Sequence, residues 1–176
     1  IAEFRVLMNR VTSYAYQQGV TIIAGAGNNG FNRDFTADLL FMPADMPHVI
    51  SISATTPIGW AVDPLNTFLD NPASYSNYGR SAIDFAAPGG DILYIHDERG
   101  GCTISRRSGP CPMFDQVFST GAGGWYWSTG TSMATPHAAG IAALIISENG
   151  GSMHPAQVEA QLRQRAYNPD GSQGRH

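Results

Sequence analysis

With 176 residues, 43% of them apolar, the chain is long enough for one domain with a real core and short for two. Only 14% are charged, against roughly 25% in an average domain, which points to buried backbone and tight turns and away from disorder. A net charge of −4, basic residues that are all arginine, and no basic stripe exclude a nucleic-acid partner's electrostatic footprint, and no apolar run approaches the ~20 residues of a membrane span.

Ile1, Phe4, Leu7, Met8, Val11, Tyr14 and Ala15 recur at helical spacing, which predicts an amphipathic helix from the first residue, ended by a left-handed Gly19. Residues 20–24 follow as a short apolar run, predicted as a buried parallel strand, so helix and strand form half of a βαβ unit. The strand runs into Gly25, Ala26, Gly27, Asn28, Asn29 and Gly30, at the strand end where open α/β sheets bind ligands. Residues 49–54 predict a second buried strand, and 73–78, 83–86 and 117–120 shorter ones. Proline, glycine, aspartate and asparagine mark 57–72 and 89–116 as surface loops. Residues 132–147 predict a helix apolar on nearly every face, hence buried, stopped by Asn149, Gly150 and Gly151. A surface helix opens at Pro155 with Val158, Leu162 and Ala166 on its inner side, and 168–176 is a frayed tail. Cys102 and Cys111 stand nine positions apart without metal-site spacing. A local disulfide is the leading expectation, and two free thiols are the alternative.

The chemistry concentrates in Gly130, Thr131, Ser132, Met133, Ala134, Thr135, Pro136, His137, Ala138, Ala139 and Gly140. Ser132 would stand at the N-terminus of the buried helix, where backbone N–H groups lack intrahelical partners and the dipole is positive. A negative oxygen forming beside Ser132 would be stabilised there, and the Asn28 side-chain N–H could supply a second donor. Gly130 would allow the tight turn and the approach of a substrate. Ala134, Ala138, Ala139 and Gly140 would let the helix sit close to the sheet. The bland readings are a helix N-cap for Ser132 and a left-handed turn residue for Asn28.

Residues 130–140 resemble, nearly residue for residue, the nucleophile motif of the subtilisin-like serine proteases. The segments 24–28, 42–43 with 47–52, 73–79 and 84–89 match further motifs of that family in order, so the resemblance runs from about residue 1 to residue 167. It implies an α/β fold, the C-terminal portion of a three-layer domain in which a parallel sheet is flanked by helices. It also implies one partial catalytic domain over 1–176, peptide or protein substrates, and a secreted or extracytoplasmic location. Gly25, Ala26, Gly27, Gly130 and Thr131 then line the substrate site, and Phe41 falls near the pocket floor. No cofactor is required. The carbonyls of Pro47 and Val49 with the carboxylate of Asp84 match a structural calcium site of some members, and oxygen donors suit Ca²⁺.

A serine nucleophile needs a base and a group that orients it. In the family these are an aspartate and a histidine in motifs that precede the region matching Ile1, and neither motif is in this sequence. His137 is five positions beyond Ser132, about 140° around a helix, so it points elsewhere. His48 matches a structural position, while His96, His154 and His176 lie in a loop, before a helix and at the end. The chain therefore reads as one face of a catalytic site, inactive alone, with the N-terminal half of the domain as its partner. Since Ile1 is not a natural first residue, an upstream segment is expected. Two rivals remain at this point. One is a pseudoprotease or interaction module. The other is an α/β-hydrolase esterase, because 130–134 nearly satisfies G-x-S-x-G, although Asp/Glu and His on later strands would have to follow.

Overall fold

The computed structural model describes residues 2–36, 38–92 and 100–168. Helix α1 (Ala2–Gln17) leads through Gly19, at φ 82°, into strand β1 (Ile22–Gly25). Strand β2 (Val49–Thr56) is the spine of the sheet. Its Ile52 pairs with Gly25 of β1 on one side and with Phe85 of β4 (Phe85–Pro88) on the other, both parallel. The short β3 (Asn71–Pro72) runs antiparallel against Thr55 and Thr56.

The sheet separates two apolar layers, because alternate residues of a strand point to opposite faces. Ile50, Ile52 and Ala54 of β2 pack with Ala134, Ala138, Ala142 and Ile145 of α2 (Thr131–Glu148) and with Val158 and Leu162 of α3 (Pro155–Arg165). Ala24 and Val49 face the other way, onto Met8 of α1 and the segment holding Ala44 and Met46. The result is helix, sheet, helix: the α/β architecture expected from the sequence. β2 is buried along nearly its whole length, with Ser51, Thr55 and Thr56 buried beside Ile50, Ile52 and Ala54.

Several local expectations change. Residues 73–78 are a turn rather than a strand, joined to β2 by Ala73 N–H on Ala54 O (3.0 Å) and to the loop after β1 by backbone bonds and a bridge from Tyr78 to Asn32. The strand placed at 83–86 starts later, at Phe85. The stretch 89–116 holds a hairpin, β5 (Gly101–Ile104) with β6 (Arg107–Pro110), then a 3₁₀ turn over Cys111–Asp115. β7 (Val117–Gly121) gains an antiparallel partner, β8 (Gly124–Ser128), which the glycine-rich sequence obscured.

α2 is not buried all round: Ile141 is 49% and Leu144 66% exposed. The sheet covers one side of this helix, and among the described residues nothing covers the other. α1 departs in the same way. It docks through Met8 and the buried Thr12, while Phe4, Leu7, Val11 and Tyr14 of the predicted apolar stripe face outward. The free edge of β1 lies near a hollow of about 290 Å³ lined by Thr21, Ile23, Ala139, Ala142, Ala143 and Ile146. Among the described residues no helix is long and apolar enough to cross a membrane.

Candidate active site

Two elements meet at the site. β1 delivers Gly25 to Asn28, and the turn before α2 delivers Gly130 to Ser132. The turn is fixed from below: Gly130 N–H donates to Gly89 O (3.0 Å), and the Tyr75 hydroxyl donates to Gly89 O (3.1 Å) and Gly90 O (2.7 Å). Burial pushes the Tyr75 phenol up to about 12, opposed by the nearby Gly130 backbone and reinforced by the charge of Asp91, so it remains a donor at alkaline pH. Gly130 has φ 147°, closed to residues with a side chain. At Gly25 a Cβ would stand 2.8 Å from Thr131 Oγ1, so only glycine permits this contact of strand and helix start.

Asn28 bridges the two elements. Its Oδ1 accepts from Thr131 N–H (2.9 Å) and from Thr131 Oγ1–H (2.8 Å), and Thr131 Oγ1 accepts from Gly27 N–H (3.3 Å). With Oδ1 occupied, the Asn28 amide can turn only Nδ2 toward the space beside Gly130, where a Cβ would be 3.4 Å from it. The first-turn N–H groups of α2 are similarly assigned. Thr131 N–H goes to Asn28, and Met133 and Ala134 N–H both go to Gly130 O (2.9 and 3.2 Å). Among the described residues, Ser132 N–H has no acceptor. The exposed Ser132 thus carries a free backbone donor beside a free amide N–H, at a positive helix end. Two such donors can stabilise an oxyanion formed on a carbon attacked by Ser132 Oγ.

The helix begins one residue earlier than expected. Gly130 is the N-cap and makes no side-chain cap bond, so Ser132 is not a capping serine. Ala26 is buried, with its N–H on Ile52 O and its carbonyl accepting from Asn77, so its own groups face inward. Phe41 touches the loop from beneath: a Cβ on Gly27 would meet its ring at 2.8 Å. The Arg33 guanidinium lies 4.1 Å over that ring and pairs with Asp45 at 2.7 Å.

Among the described residues no histidine serves Ser132. His137 turns its Nδ1 to Met133 O (2.8 Å), His48 stacks on Tyr16 with ring centroids 4.1 Å apart, and His154 caps α3 by accepting from Ala156 N–H. His96 and His176 lie outside the described residues. After Ser132 the described residues form two helices and no strand. An α/β-hydrolase triad, with its acid and base on later strands, has no place there.

A profile of the subtilase family matches residues 2–175. The chain belongs to the subtilase family. Its relatives include an extracellular protease of Xanthomonas campestris pv. campestris, 31% identical over 90% of this chain and 22% of its own length. A thermophilic serine proteinase of a Bacillus species is 32% identical over 88% of this chain and 28% of its own length. A crystal structure of a lanthipeptide protease superposes with a TM-score of 0.66 at 29% identity, covering 90% of this chain and 46% of that one. The chain thus spans about a quarter of the curated relatives it matches.

The residues expected to hold calcium make other contacts. Asp84 Oδ2 accepts from Ser51 N–H (3.0 Å), and Oδ1 accepts from Arg163 (3.1 Å). Arg163, which also binds Glu159 at 2.6 Å, already sets a positive charge against Asp84. A carboxylate engaged on both oxygens, one of them by a cation, does not fit a calcium ion shared with the carbonyls of Pro47 and Val49. Among the described residues, no cluster of three or more His, Cys, Asp or Glu could hold a metal. Cys102 and Cys111 are bonded, which ties β5 to the 3₁₀ turn. What the sequence reading missed is the set that holds the site from behind: Tyr75, Asn77 and the Arg33–Asp45 pair. Tyr75 and Asn77 were visible as a family match but read as strand.

Proposed function

We propose that this chain is the nucleophile-bearing part of a secreted serine endopeptidase. Ser132 Oγ attacks the peptide carbonyl carbon, its proton passes to a base and then to the leaving amine, and water releases the acyl group from Ser132. The observation that carries the reading is the pair of free donors, Ser132 N–H and Asn28 Nδ2, aimed into one space beside Gly130. An intact pair of this kind favours an enzyme over a decayed interaction module. The base and the group that orients it come from residues preceding this chain in the whole protein. The uncovered side of α2, the outer stripe of α1 and the free edge of β1 form the surface that partner half would cover.

Phe41, held against Gly27 by Arg33, supports a shallow pocket for the residue before the scissile bond, and hence small side chains there. The test compares the isolated chain, the protein extended upstream and the extended protein with Ser132→Ala. A fluorophosphonate should label only the extended parent form, which alone should cleave a peptide panel, preferring alanine or glycine at that position. Phe41→Gly should broaden the preference toward larger residues. Cleavage retained by Ser132→Ala would overturn the reading.

A further inference from the structure

Asn77 is fully buried, at 0% exposure, and no part of its side chain faces the space beside Ser132. Its Nδ2 donates to Ala26 O (2.8 Å), and its Oδ1 accepts from Asn29 N–H (3.2 Å) and Phe31 N–H (3.0 Å). Its backbone N–H donates to Gly27 O (2.9 Å). These four bonds fall on the two residues before Asn28 and on the first and third after it.

The loop needs such support because the sheet has already let it go. The β1–β2 register ends at Gly25 with Ile52, and one further bond, Ala26 N–H to Ile52 O, closes the ladder. From Gly27 onward the backbone leaves β2, reverses at φ 102° (Gly27) and φ 66° (Gly30), and meets the 75–78 segment instead, with Gly30 N–H donating to Tyr75 O (2.7 Å) and Tyr78 N–H donating to Phe31 O (3.0 Å). The primary amide of Asn77 has the donor and acceptor of a peptide unit, and it bonds the Ala26, Asn29 and Phe31 backbone groups that the 75–78 backbone leaves open. The approach is close: a Cβ on Gly27 would lie 2.5 Å from Asn77 Nδ2.

We infer that Asn77 is a positioning residue for the oxyanion donor: it locks the backbone on both sides of Asn28 so that Nδ2 is in place before charge develops. The inference rests on the proposed peptidase reading. A donor contributes most when its position costs no reorganisation in the transition state, and small misplacements lower turnover steeply. Asn77 touches neither Ser132 nor the donor itself, so its effect must pass through Asn28.

Two variants test this in the upstream-extended protein. Asn77→Asp keeps the shape and the acceptors but loses the N–H to Ala26, and Asn77→Ser removes the three side-chain bonds while leaving the backbone N–H on Gly27 O. Both should lower kcat by roughly tenfold or more while KM stays within about twofold, since the interaction is realised in the transition state. In an Asn28→Ala background the same changes should cost less than about twofold, the non-additivity expected of residues acting as one unit. Full additivity, or a loss expressed in KM, would overturn the inference. Amide hydrogen exchange supplies an answer independent of activity. Asn29 and Phe31 N–H should be slow in the parent and fast in Asn77→Ser, with β2 unchanged. If the parent cleaves nothing, the peptidase reading fails, and fast exchange at Asn29 and Phe31 in the parent would overturn the clamp separately.

Discussion

At Asn28 the two ends of one amide have different duties. Oδ1 accepts from Thr131, which fixes the side chain, and among the described residues Nδ2 has no acceptor. The composition of the loop explains why both are possible: Gly25 admits Thr131 Oγ1 at contact distance, and Gly130 leaves room in front of Nδ2. Since charge on the substrate oxygen exists only in the transition state, Asn28→Ala in the extended protein should preserve KM. Its kcat should fall by about 10²–10³-fold, the effect of deleting one oxyanion donor in subtilisin, a member of this family. Steady-state kinetics with one peptide decides it, and normal turnover would remove Asn28 from the site. The asparagine was legible in the sequence because it sits between glycines at a strand end. The orientation of its amide was not, because Thr131 is 103 positions away.

Among the elements, α3 shows how Asp84, expected as a calcium ligand, is engaged by a side chain. Its Arg163 reaches Asp84, just ahead of β4, and lies 5.4 Å over the Phe85 ring. Both partners are partly exposed, at 29% of their side chains, so Arg163→Ala should cost only about 1 kcal/mol. The same geometry predicts that the thermal midpoint of the protein does not move between EDTA and millimolar calcium. A rise with calcium that is lost in an Asp84→Asn variant would restore the metal. The disulfide acts on another element: closing nine positions removes about 2–3 kcal/mol of freedom from the unfolded chain in the loop-entropy treatment. Its pairing suits an oxidising compartment, in keeping with a relative that is an extracellular protease.

For the whole molecule, exposed apolar residues occur on loops and on the β7–β8 hairpin, Phe35, Leu65 and Trp125 among them, and a further group lies on the helices beside the sheet. Phe4, Leu7, Val11 and Tyr14 lie along α1, Ile141 and Leu144 on α2, and β1 offers an unpaired edge. Surfaces of this kind bind a partner or themselves. By itself the chain should therefore elute as an associated species in size-exclusion chromatography, and the protein extended upstream should elute as a monomer. A monodisperse, soluble isolated chain would show that this surface does not need covering.

Local order determined much of this protein in its sequence. The Val-Ile-Ser-Ile-Ser-Ala stretch of β2, the small-residue face of α2 and the nucleophile motif are contiguous, so period and spacing reveal them without any knowledge of the fold. The family and the α/β architecture followed from such segments, which also single out Ser132 and Asn28 as candidates. Tertiary structure alone decided the rest, and the reason is distance along the chain. Residues 73–78 read as a short strand, yet their hydrogen bonds go to the loop at 26–31 through Asn77, Tyr75 and Tyr78 and to β2 through Ala73 and Ser76. α2 reads as buried because its residues are apolar all round, yet burial depends on what packs against it. In this chain the sheet supplies one side only, and Ile141 and Leu144 stand open.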